Sequence, residues 1–225
     1  MEKFRASSPE KQHNIQEIIT HLESRNIKLG LQNKIVTLLT VDGVKPASFI
    51  HWMGQGIPES EIAMKTTEEE QEVQNIKEIL AGLGLSFDIL ETVTKVSEHE
   101  YCRKTIFPIS LDEEKVKDVM EWLKNRYTSD GEHVDHVKIG QLLGFPKTSV
   151  EAFNSKQFIT GKNLPMEIQN TELGNFILGT SLFAFSKESF QEELEVYKVW
   201  MHTIKELSPT LYGEVIKKGQ LRMLE

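Results

Sequence analysis

Phe190, Leu194, Tyr197, Met201 and Ile204 fall at intervals of four, three, four and three. That spacing places all five on one side of an α-helix. Val196 and Trp200 widen the stripe. Ser189-x-x-Glu192 reads as its capping box, and Pro209 closes it. A stripe this long must be covered, either by the rest of the chain or by a second copy in a homodimer. Only one strand candidate, Ser181 to Phe185, stands near it. A short last helix is expected from Tyr212 to Lys217.

The first 130 residues carry a different pattern, in which helical and extended signals alternate. Ile15, Ile18, Ile19 and Leu22 have helical spacing after a polar, frayed start, with an end near Asn26 or Gly30. Residues 34–41 are β-branched, which suits a strand. Their Ile35, Leu38 and Leu39 also suit one helix face, and helix is the reading adopted. Residues 45–52 are expected to be extended and residues 53–58 to form a loop. Thr67-x-x-Glu70 predicts a capping box for a helix carrying Val73, Ile76, Leu80 and Leu83 on one side. Residues 85–93 and 101–109 predict a pair of strands. Ser110-x-x-Glu113 predicts a second capping box before a helix with Val116, Val119, Met120, Leu123 and Tyr127 on one face. The expected class is α+β: a small, partly antiparallel sheet with helices packed on it, then a mostly helical C-terminal part. The two parts, 1–130 and 131–225, are expected to pack as one compact unit.

Composition narrows the function classes. The net charge of −8 disfavours indiscriminate binding to nucleic acid or anionic membrane, since both are polyanions. No apolar run approaches the ~18 residues of a membrane span. The start, Met1 to Pro9, has no apolar core of the kind a secretory signal needs. Cys102 is the only cysteine, so neither an internal disulfide nor a multi-cysteine zinc site can form. A cytoplasmic location is the expectation.

The sharpest local pattern lies in residues 137–153. Gly140 precedes a turn glycine, Gly144, by four positions, and Val150 follows that glycine by six. Ile139, Leu143, Val150 and Phe153 can pack two short helices across the turn, with Pro146 in the first turn of the second helix. The spacing resembles the helix-turn-helix of DNA-binding proteins, in which a small residue allows close helix approach and a glycine makes the turn. The resemblance implies that Lys147, Thr148 and Ser149 face the major groove, with Lys138 adding charge. No arginine stands there for a bidentate contact with guanine. The plain alternative is a helical corner packed on the rest of the fold. The same stretch, Gly140-x-Leu142-Leu143-Gly144-Phe145-Pro146, also resembles a segment of archaeal proteins of unknown function that reads Gly-x-Leu-Leu-Gly-Tyr-Pro. The cysteines that follow it in those proteins are replaced here by Thr148 and Ser149, so no thiol or metal role carries over.

Three further groups have the residue types that chemistry needs. His133-x-Asp135-His136 offers imidazole and carboxylate for a small ligand or a metal, but no third metal ligand is evident. The plain alternative is that Asp135 caps a helix. Cys102 has His99 before it and Arg103 and Lys104 after it, and positive neighbours lower a thiol pKa. Against that, a lone cysteine commonly behaves as a small buried hydrophobe. His51 and Trp52 end an extended segment, where an imidazole and an indole could hold a ring or a sugar. No complete catalytic constellation, cofactor motif or phosphate loop is present. The reading is therefore a non-catalytic protein that binds a small molecule or a protein partner, without a cofactor. The alternatives are a DNA-binding regulator acting through residues 137–153, and an enzyme of unidentified class.

Overall fold

The computed structural model describes residues 9–24, 27–62, 65–98, 100–128 and 135–223. Ten helices, α1 to α10, and six strands, β1 to β6, follow one another along these residues. The class is α+β.

The sheet is built around one long strand. β4 (Glu100–Ser110) pairs antiparallel with β1 (Ser48–Pro58) on one side and with β2 (Ser86–Phe87) and β3 (Leu90–Lys95) on the other. Residues paired across an antiparallel sheet point to the same face, and neighbours along a strand point to opposite faces. Ile50, Trp52, Phe107 and Ile109 therefore share one face. Phe49, His51, Lys104 and Ile106 share the other.

Helices cover both faces. The first face packs into the main core with α1 (Pro9–Glu23), α2 (Leu31–Val41) and α3 (Thr67–Gly82), through Ile19, Leu22, Ile35, Leu38, Ile76 and Leu80. That core continues into α8 (Glu172–Thr180), α9 (Phe190–Leu207) and α10 (Pro209–Arg222), through Phe176, Tyr197, Trp200, Ile204 and Leu211. The second face packs with α4 (Glu113–Thr128) and α5 (His136–Leu142), through Ile106, Val119, Trp122, Leu123, Ile139 and Leu143. The main core crosses residue 130, so the two parts share one hydrophobic interior.

The apolar stripe at 190–204 belongs to that interior. Tyr197, Trp200 and Ile204 are at most 1% exposed, and Leu194 and Met201 are also buried. The stripe is covered within one chain, which removes it as a homodimer face. Residues 34–41 are helical, as α2, because Ile35, Leu38 and Leu39 all reach the core from one side.

Several boundaries differ from the sequence reading. The expected loop at 53–58 is the second half of β1, where a bulge between Met53 and Gly56 restores pairing with Cys102 and Tyr101. The strand expected over 85–93 is broken into β2 and β3. The first helix starts at Pro9 and stops at Glu23. The capping box of α3 uses Thr66 and Glu69, one residue earlier than expected, because Thr66 has the extended backbone an N-cap requires. Ser110 does not cap α4. It still belongs to β4, where its hydroxyl donates to the Pro46 carbonyl, and the Asp112 carboxylate accepts from the Glu114 N–H instead. Ser189 makes no side-chain cap. Of the strand expected at 181–185, only Phe185 joins one: β6 (Phe185–Ser186) pairs with β5 (Phe158–Ile159). The last helix runs the full length of α10, capped by Ser208 with Pro209 in its first turn.

Candidate functional site

The helical corner at 136–154 forms one wall of the best-shaped cleft. α5 and α6 (Lys147–Asn154) approach closely because position 140 has no side chain: a Cβ there would lie 2.5 Å from Val150 Cγ2. Gly144 makes the turn with φ of 71°, a conformation that favours glycine. The turn sits on Pro46, which a Cβ on Gly144 would strike. Asp135 caps α5, its carboxylate accepting from the Val137 and Lys138 N–H groups.

Inside the corner lies a cavity of about 230 Å³. Trp122 from α4, Ile139 from α5, Val150 and Phe153 from α6, and Phe49 from β1 line it. Phe183, from the segment before β6, completes the wall. The Phe49 and Trp122 rings stack at 6.3 Å. The Arg126 guanidinium lies 5.3 Å from the Trp122 ring centre, and His136 meets Trp122 and Phe153 edge-on at 6.4 and 6.2 Å. The indole N–H of Trp122 is buried without a partner. The far wall is held in place by Tyr197, whose hydroxyl accepts from the Leu182 and Phe183 N–H groups.

A second, smaller chamber of about 170 Å³ adjoins the first and shares Phe49, Leu143, Phe145 and Leu182 with it. Its polar lining comes from Gln32 and Asn33 of α2, from Lys45, and from Ser48 and His51 of β1. Lys45 is 2% exposed. Its ammonium donates to the Leu143 carbonyl and lies 4.3 and 4.6 Å from the centres of the Phe145 and Trp200 rings. It makes no ion pair with any described residue. Burial pushes this ammonium down to about 7. Among the described residues, the Ser48 hydroxyl and His51 Nε2 are buried without partners. Burial first, then the charges of Lys104 and Arg126, pushes the His51 imidazole down to about 4. Asn33 holds the His51 backbone through its side-chain amide, at 2.6 Å to the carbonyl. Among the described residues, no acidic residue lines either chamber, in a chain of net charge −8.

A larger depression lies elsewhere. A groove of about 740 Å³ runs between α3 and the first sheet face. Four of its charges are paired with one another. Glu69 accepts from Arg103 at 2.6 Å and from the Thr66 N–H, while Arg103 also donates to the Ile62 carbonyl. Lys65 pairs with Glu91.

The structure separates several residues that the sequence groups together. His51 lines the small chamber and Trp52 the groove, on opposite faces of β1, so they cannot hold one ring between them. His136 is at the mouth of the apolar cavity, Asp135 is engaged as a cap, and His133 lies outside the described residues. Among the described residues, no group of three or more His, Cys, Asp or Glu is placed to hold a metal.

Of the residues assigned to a DNA groove, Lys138 and Lys147 are exposed, and Lys147 lies 3.6 Å from Glu151. The other two turn inward: Thr148 donates to Glu193, and the buried Ser149 donates to the Ala184 carbonyl. Ser149 therefore does not face outward, because it fastens α6 to the segment before β6.

Cys102 is buried, and its thiol donates to the Gly54 carbonyl. Burial, then Glu69 and Glu100, pushes that thiol up, the reverse of what Arg103 and Lys104 suggest in the sequence. Arg103 points to the other sheet face and is neutralised by Glu69, and Lys104 meets the Tyr127 hydroxyl. His99 lies outside the described residues.

Lys45, Ser48 and Phe49 were not singled out as site residues by sequence reasoning. Nothing in a Lys-Pro-Ala-Ser run announces a buried amine. The only available hint was a lysine flanked by residues that are otherwise core-forming.

No protein-family model, curated protein or solved structure matches this chain.

Proposed function

We propose that this is a non-catalytic, cytoplasmic protein that binds a small, flat, apolar molecule in the cavity under the α5–α6 corner. One observation carries the reading: an aromatic-lined cleft opens between α4, the α5–α6 corner and the segment before β6. A preformed apolar cavity with a few polar groups at its edge is the usual form of a small-molecule site. Phe49, Trp122 and Phe153 supply faces for a ring, while Arg126 and His136 supply polarity at the mouth. Binding rather than turnover is assigned because the buried thiol and the capping carboxylate are each engaged elsewhere.

Indole is a suitable probe, followed by NMR shifts of the Trp122 side-chain N–H, His136 and Phe153. Saturable shifts at these three residues are expected. Ala184→Phe, which fills the cavity from its far wall, is expected to abolish them. Shifts absent at saturating indole, or unchanged in a folded Ala184→Phe protein, would sink the proposal.

A further inference from the structure

We propose that the smaller chamber, bounded by Lys45, Ser48 and His51, is a binding site for a small carboxylate. The site is separate from the apolar cavity, and neither ligand requires the other.

An ammonium buried without a counter-ion is costly, because desolvation disfavours the charged form. Lys45 is such a group: among the described residues its partners are one carbonyl and two aromatic faces. In the same chamber lining, the Ser48 hydroxyl is a buried polar atom without a partner among the described residues; His51, whose Nε2 is likewise unpartnered among them, stands on the opposite face of β1. Buried polar groups in native proteins are almost always hydrogen-bonded, so each orphan calls for an explanation. These groups have the same requirement in common. A protonated lysine and a serine hydroxyl can both donate. Gln32 adds an amide to the same lining.

A donor-lined pocket takes an acceptor, and the charge selects an anion. Among the described residues that line the chamber, the charged or titratable groups are Lys45 and His51, and none is an acid. A carboxylate offers two oxygens with several lone pairs. One oxygen can accept from Lys45 and the other from Ser48, forming charge-assisted hydrogen bonds in a site of low dielectric. The volume of about 170 Å³ limits the ligand to a few heavy atoms or to the acid end of a larger one. A bound anion also supplies the charge that Lys45 lacks, so binding and protonation of Lys45 are linked: the carboxylate must raise the lysine's pKa by as much as the proton strengthens carboxylate binding.

Acetate is the probe, with acetamide as its neutral isostere. In lysine-labelled protein, the Lys45 Cε resonance is assigned by its loss in Lys45→Met and followed against pH. At ten times its Kd, acetate is expected to raise the Lys45 midpoint by about one pH unit. Acetamide is expected to leave it in place. Calorimetry at neutral pH is expected to show at least tenfold weaker acetate binding in Lys45→Met, and a smaller loss in Ser48→Ala. A midpoint unmoved by saturating acetate would overturn the assignment. So would equal binding of acetamide, or undiminished acetate binding by folded Lys45→Met. The first of these is read on the unmutated protein, so it does not depend on any variant folding. Because acetate and indole report on different residues, failure here leaves the apolar cavity untouched, and the reverse also holds.

Discussion

At the scale of single residues, Lys45 sets a pH dependence whose sign is opposite to that of a paired lysine. Its folded pKa is about 7 against an ordinary 10.5. Between those values the unfolded chain binds a proton that the folded chain does not, so folding stability rises with pH across that window. Above 10.5 the amine is neutral in both states, and below 7 the penalty is fully in place. Lys45→Met is therefore expected to stabilise the protein at pH 7, by a margin on the order of a few kcal/mol. Urea unfolding should show that margin shrinking towards pH 10. A margin that stayed constant with pH would refute the buried-amine account. Gly140 makes a second residue-scale prediction. Gly140→Ala adds a methyl 2.5 Å from Val150, and overpacking of this kind costs about 1–3 kcal/mol in denaturant titrations.

At the scale of elements, two devices fix the walls of the cleft and the groove. Tyr197 on α9 pins the segment before β6 through two backbone N–H groups. Tyr197→Phe removes their acceptor while keeping the ring. The expected cost is about 1–3 kcal/mol, together with faster amide exchange at Leu182 and Phe183 and weaker indole binding. On the other side, Glu69 both caps α3 and neutralises Arg103. Glu69→Gln removes the carboxylate charge that Arg103 meets at 2.6 Å in a buried pair, for which a cost of up to about 3–5 kcal/mol is typical. Thr66→Ala, which removes only the cap hydroxyl, should cost about 1 kcal/mol in the same measurement. The α5–α6 corner shows how element-scale context overrides a motif. Its Gly140, Gly144 and Val150 do what helix-turn-helix spacing requires, yet Ser149 and Thr148 of the second helix are fastened to the fold. The geometry of the corner was legible in the sequence. Which face of α6 is free was not, because that depends on where Ala184 and Glu193 stand.

At the scale of the whole molecule, the shared core predicts cooperative unfolding. Ile15 and Ile19 near one end and Val215 near the other lie in one hydrophobic cluster, so neither part can keep its interior alone. Far-ultraviolet circular dichroism and tryptophan fluorescence should report a single coincident urea transition. Fragments 1–130 and 131–225 are expected to be unfolded when expressed separately. A fragment with a cooperative transition of its own would contradict the single core.

The sequence by itself determined what depends on local spacing. The helical stripe at 190–204, the strand pair around 101–109, the α+β class and the Gly140–Gly144 turn all follow from hydrophobic period and from the backbone freedom of glycine. Those are properties of short stretches of chain. Tertiary structure alone decided which polar groups are left without partners. Lys45 looks like a surface lysine until α9 brings Trp200 over it and the α5–α6 turn brings Leu143 and Phe145. His51 and Trp52 look like neighbours until the pleat of β1 sends them to opposite faces. Cys102 looks activated until Arg103 is seen paired with Glu69 on the far side of the sheet. Burial and charge pairing are set by residues distant in sequence, and for that reason the two chambers could be found only once the chain had folded.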